Sequence, residues 1–235
     1  MRNRPGIALP RLTGVVKKLI LGLIAAYVLQ LVLVNWAGIP VVGLLALTPG
    51  GPGLWQLVTY VLVDISHPLM FLLGLLFMWW ALSPIEMGFG PTRTLQLVGV
   101  SIVAGSVPAY LVGLMIPGSP PLFGSQTIWF GAIAAMTWVY RDREISLFGM
   151  MPMTAKQFLL MLVGLSFLMF LASKDHTQLI ASLGAMAGGV AFIRWMRRPR
   201  TPARVRRKPE RSFRVIEGGG TGGTGGDDER PKWLN

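Results

Sequence analysis

A serine hydroxyl becomes a nucleophile only when a neighbouring base takes its proton, and this chain offers few bases. It holds two histidines, His67 and His176, and no cysteine. Thiolate chemistry, disulfides and cysteine-ligated metals are therefore excluded. Two distant histidines and ten carboxylates do not supply the ligand spacing of a metal site. No phosphate loop, dinucleotide fingerprint or zinc motif is present, so no cofactor is expected. What remains is Ser125, just before an apolar run, with His67 and His176 at the ends of two others. A proton-transferring pair needs its atoms within about 3 Å or one bridging water. The competing reading makes Ser125 a helix N-cap and both histidines interfacial residues.

The elements that must position these groups are membrane helices. Of 235 residues, 52% are hydrophobic and 14% charged, whereas a soluble domain carries about a quarter charged residues. Runs of roughly 20 apolar residues cross about 30 Å of hydrocarbon. Six are expected, over residues 19–36, 67–82, 94–116, 125–140, 157–171 and 177–195. The second is short for a span. The first is too long for a signal-peptide core and reads as a retained anchor. Residues 37–66 are apolar but interrupted by Pro40, Pro49, Gly50, Gly51, Pro52 and Gly53. Lipid does not accept irregular backbone, so this stretch belongs at the membrane surface or against protein.

The net charge of +12 is concentrated at the two ends. Arg2, Arg4, Arg11, Lys17 and Lys18 precede the first span; Arg194, Arg197, Arg198, Arg200, Arg204, Arg206, Arg207 and Lys208 close the last or follow it. This placement holds both termini in the cytoplasm. The internal loops 83–93 and 141–156 carry Arg93, Arg141, Arg143 and Lys156, while the opposite loops carry only Lys174. The basic ends suit anionic lipid headgroups rather than nucleic acid, for which no motif is present. Three regions follow: a basic segment 1–18, a membrane domain 19–196, and a tail 197–235 that is basic, then glycine-rich and disordered. Within the tail, the glycine run 218–226 is a linker. Its terminal Trp233, Leu234 and Asn235 are either a solvated end or a docking peptide.

Several segments, in order, resemble the rhomboid superfamily of intramembrane serine proteases. Trp55-Gln56-Leu57-Val58-Thr59-Tyr60 is similar to the approach to the second rhomboid helix, and Ser83-Pro84-Ile85-Glu86 with Gly90 to the segment after it. Pro121-Leu122-Phe123-Gly124, then Phe130-Gly131, resembles the start of the nucleophile helix. Ile145, Leu147, Phe148, Pro152, Ala155 and Lys156 match the loop before the fifth helix; Leu183-Gly184 and Gly188 match the sixth. The resemblance implies an all-α, six-helix membrane bundle with a water-filled hollow beside the fourth and sixth helices. In active members a serine on the fourth helix attacks the scissile carbonyl and a histidine on the sixth takes its proton. A histidine and an asparagine on the second stabilise the oxyanion.

At those positions this chain has other residues. Gln126 stands for the serine, Ser182 for the base, Gly74 for the asparagine and Met70 for the oxyanion histidine. Ser125 falls one residue early, a rotation of about 100° on a helix. His176 precedes Ser182 by roughly 9 Å of helix. Gln126, Thr127 and Ser182 are expected to face one another, as an interhelical hydrogen-bond set or as the lining of a client-binding hollow. Glu86 is expected to cap backbone donors at a helix end, and Asp64 to be solvated. The leading function is a rhomboid-like pseudoprotease that binds transmembrane or membrane-proximal client segments in a bacterial inner membrane. The alternatives are an active serine endopeptidase using Ser125 with His176 or His67, and a small-solute transporter. The last lacks midspan charges and paired broken helices.

Overall fold

The computed structural model describes residues 11–51, 53–141, 144–147 and 151–197. The sequence expectations for residues 1–10 and for the tail beyond Arg197, the docking peptide included, lie outside these residues. Helix α1 spans Gly14–Asn35 and α2 Val41–Leu45. Helix α3, Gln56–Thr59, runs into a 3-10 turn, Tyr60–Leu62. The long helices follow: α4 Pro68–Phe89, α5 Pro91–Met115, the shorter α6 Gln126–Val139, α7 Ala155–Ser173 and α8 His176–Met196. Between α6 and α7, Glu144–Leu147 (β1) pairs antiparallel with Met151–Thr154 (β2), inside the segment read as a polar loop. This hairpin is the one sheet among the described residues of an otherwise α-helical fold.

Among the described residues, five helices are long and apolar enough to cross a membrane: α1, α4, α5, Lys156–Ser173 of α7, and α8. Helix α6 has 14 residues, about 21 Å of rise. It is enclosed by its neighbours, with every residue from Phe130 to Thr137 buried. In α1 the buried residues are Val16, Leu23, Tyr27 and Gln30, spaced along one narrow stripe of a helix. Leu21, Val28, Leu29 and Val32 are exposed to the surroundings, as lipid-facing side chains must be. Tyr27 stacks on Phe71 of α4 with centroids 4.3 Å apart.

Two boundaries differ most from the sequence reading. Helix α1 starts at Gly14 instead of Leu19, taking in Lys17 and Lys18. Helix α4 does not stop at Leu82 but continues through Pro84 to Phe89. A proline removes one backbone donor, and away from water the remaining groups have no better partners than each other. Trp80, Ala81, Leu82 and Ile85 are all buried, which holds the helix together across the proline. Gly90 then ends α4 and begins α5 at φ 85°, ψ 168°. A side chain there would be strained, and one glycine reverses the chain between two membrane-length helices. Pro91 opens α5, at the first turn where no backbone donor is missed.

Small residues let α8 pack against α5 and α6. A methyl group added at Gly184 would collide with the Ala104 carbonyl, and one at Gly189 with the Gly131 backbone. Such contact between backbones is how helices associate in lipid, where water supplies no hydrophobic drive. Helix α7 differs: 17% of its apolar window is buried, against 39–44% for α4, α5 and α8.

Within 37–51 and 53–66, buried side chains and backbone bonds tie the segment to the rest of the protein. Leu47 and Leu122 exchange backbone hydrogen bonds of 2.9 Å in both directions. Trp55 Nε1 donates to Leu44 O, Gln56 Nε2 to the same oxygen, and Thr59 Oγ1 to Leu45 O. The W-Q-L-V-T motif therefore satisfies carbonyls that the end of α2 leaves open.

Candidate functional site

Where α6 and α8 begin, they approach one another beside α7. Gln126 occupies the first turn of α6, and its Oε1 accepts from Gln178 Nε2 at 2.6 Å. Gln178 is fixed at its backbone as well, where Asp175 Oδ1 caps the start of α8 by accepting from Gln178 N at 2.9 Å. One turn further along α8, the Ser182 hydroxyl donates to Leu179 O at 2.8 Å. A small open hollow lies here, lined among others by Gln126, Phe130, Ser166, Asp175, Gln178 and Ser182. Its far wall is the loosely packed α7.

Thr127 takes no part in it, because one helical step turns its side chain away. It bonds the Tyr60 hydroxyl at 2.7 Å, and Tyr60 donates to Ile102 O at 3.1 Å. The single phenolic proton goes to that carbonyl, which makes Thr127 the donor to Tyr60. Tyr60 is fully buried. Burial raises its hydroxyl well beyond the usual tyrosine range despite the opposing Thr127 bond, so it stays neutral. Of the expected set, Gln126 and Ser182 line one hollow, Thr127 bonds Tyr60 instead, and the amide that meets Gln126 is Gln178.

Ser125 is buried and holds the N-cap position of α6 without a side-chain cap bond. The hydrogen bonds of both imidazoles go elsewhere. His67 Nδ1 accepts from Leu69 N at 3.5 Å, as the N-cap of α4. His176 Nε2 meets the hydroxyl of Ser119, 3.1 Å away, and Ser119 also donates to Ile116 O at 2.6 Å. Which of the two groups donates in that contact follows the tautomer of the imidazole. Met70 is exposed on α4. Gly74 faces Trp129, whose indole nitrogen would stand 3.5 Å from an added methyl group.

Two carboxylates have structural roles. Asp64 is buried, not solvated. Its Oδ1 accepts from Ser66 N at 2.8 Å, and its backbone N–H and carbonyl each bond the Gln30 side chain at 3.0 Å. Glu86 caps donors as expected, but those of another helix: Val15 N and Val16 N donate to it at 3.0 Å, and the Thr13 hydroxyl bonds it too. An anion at the N-terminus of α1 also meets the positive end of that helix's dipole. Among the described residues, no three His, Asp or Glu side chains gather in a metal-holding group.

A multi-pass helical membrane protein with a polar hollow at the junction of its sixth and eighth helices is a defined class of architecture. The rhomboid-domain family model matches residues 52–199, well over half of the chain, which therefore belongs to the rhomboid family. No curated protein matches it.

Proposed function

We propose that this rhomboid-family membrane protein binds transmembrane or membrane-proximal segments of client proteins without cutting them. The observation that carries this reading is the amide pair at the head of the hollow. Where the resemblance expects a serine there is Gln126, bonded to Gln178, and where it expects the base there is Ser182, bonded within its own helix. A carboxamide is not an acyl-transfer nucleophile, and no imidazole touches either group. The pair retains unused donor and acceptor capacity, Gln126 Nε2 and Gln178 Oε1, which suits the backbone of an incoming segment. Helix α7, with its small buried fraction, is the wall that yields to it.

In this reading α6 makes a sixth crossing, short because it begins at the hollow and not at the headgroups. Both termini are cytoplasmic, in a bacterial inner membrane, as the basic loops and ends suggest. The test is photo-crosslinking from a benzophenone residue at position 182 in cells, read by mass spectrometry. Recovery of membrane-protein segments supports client binding; recovery of lipid alone overturns it.

One contact favours a second reading, an active serine endopeptidase with a divergent site: the Ser119 Oγ to His176 Nε2 approach of 3.1 Å. A fluorophosphonate probe decides between the two. Labelling abolished by Ser119→Ala and by His176→Ala would establish the protease.

A further inference from the structure

Four arginines from three parts of the fold come together at the opposite end of the bundle, two of them on one indole. The Arg194 guanidinium of α8 stands 5.3 Å from the ring centroid of Trp138, in the last turn of α6, and that of Arg141 stands 5.7 Å from it. Arg197 Nη2 donates to the neighbouring Val139 O at 3.3 Å. Arg93, at the start of α5, reaches Met196 Sδ at 3.3 Å. Helix α5 begins where α6 and α8 end, so these cations share one rim.

The chemistry of Arg93, Arg194 and Arg197 is incomplete. The partners of Arg93, Arg194 and Arg197 among the described residues are a thioether, an indole face and a carbonyl, and none is an anion. Glu86, at the same end, is engaged by the start of α1. Stacking occupies the face of a guanidinium and leaves its N–H edge for an acceptor in its plane, the geometry that suits phosphate. The rim lies where two membrane-length helices end, at headgroup depth. Trp195, exposed beside it, is the residue type that anchors at this boundary.

We propose that Arg93, Arg194 and Arg197, with Arg141 completing the stack on Trp138, bind the phosphate headgroup of an anionic phospholipid. The site is built: its cations are set by an indole, a carbonyl and a sulfur before the lipid arrives. It is distinct from diffuse attraction by the basic tail, which needs no geometry.

Native mass spectrometry of the purified full chain, released from micelles holding equal phosphatidylglycerol and phosphatidylcholine, tests it. The wild type retains phosphatidylglycerol selectively. Arg194→Gln with Arg197→Gln weakens that retention about 30-fold, while Arg204→Gln, Arg206→Gln and Arg207→Gln together leave it unchanged. Arg194→Lys with Arg197→Lys, which keeps the charge, falls between and controls for folding. Equal retention of both lipids, or equal loss in tail and rim variants, would overturn the proposal. So would displacement of the lipid by an equal concentration of inorganic phosphate, which would mark a site for soluble anions.

Discussion

Gln178 and Gln126 join α8 to α6 through one side-chain hydrogen bond of 2.6 Å, and Asp175 holds Gln178 in place for it. Two uncharged amides thereby occupy the mouth of the hollow. Neither needs a particular protonation state, so the contact is insensitive to pH across the physiological range.

The pair makes a measurable contribution to stability. Gln126→Ala and Gln178→Ala should each destabilise the protein, with a coupling of about 0.6 kcal/mol in a double-mutant cycle of unfolding in mixed micelles. Strict additivity of the two substitutions would show that the bond contributes nothing.

Glu86 fastens the first helix. Glu86→Ala removes the acceptor for Val15 N, Val16 N and the Thr13 hydroxyl, and should cost about 1 kcal/mol or more. Hydrogen exchange is the direct check: the amides of residues 14–16 should lose protection while those of α8 keep theirs. Uniform loss throughout the protein would refute a local cap.

The hydroxyl of Tyr60 serves two partners, so Tyr60→Phe leaves the buried Thr127 hydroxyl without one and the Ile102 carbonyl with its helical bond alone. A cost of about 1–3 kcal/mol is expected. Thr127→Val should add little on top of it, because the polar group stranded by the first substitution is then gone. A double variant as unstable as the sum of its singles would contradict this account.

Glycines in this fold separate into two kinds. Gly189→Leu forces a side chain into the backbone of α6 and should cost about 3 kcal/mol or more, lost as monodisperse material in size-exclusion chromatography. Gly164 has nothing within 4 Å of an added methyl group, so Gly164→Ala should be neutral or stabilising by about 0.5–1 kcal/mol. An equal effect at both positions would be inconsistent with the packing described.

The sequence carried much of this architecture, for identifiable reasons. Apolar runs of membrane length are local, and so are the breaks between them, which is why α5 and α8 lie close to their expected bounds. The second span runs past Leu82 through Pro84, because the backbone around that proline has no alternative partner away from water. The role of Glu86 as a cap was legible from its position at a helix end. That it caps α1, 70 residues away, is information only the folded chain contains. Gln178 was passed over for the same reason: a glutamine in a helix acquires meaning when Gln126 faces it. Its spacing from Asp175 was the available signal, since an aspartate three residues ahead marks a helix start. Asp64 read as solvated because a lone acid near a loop usually is, and its partner is 34 residues distant.

That partner, Gln30, has a consequence for the whole segment between them. Its carboxamide donates to and accepts from the backbone of Asp64, as a neighbouring strand would, and so closes residues 30–64 into a non-covalent ring. Holding the ends of a flexible loop of that length together opposes a chain entropy of about 3 kcal/mol. In a protein with no cysteine, one amide acts as the removable staple of this ring. Gln30 is therefore one tie among several, since the Leu47–Leu122 pair and the Tyr60 hydroxyl also hold the segment to the bundle.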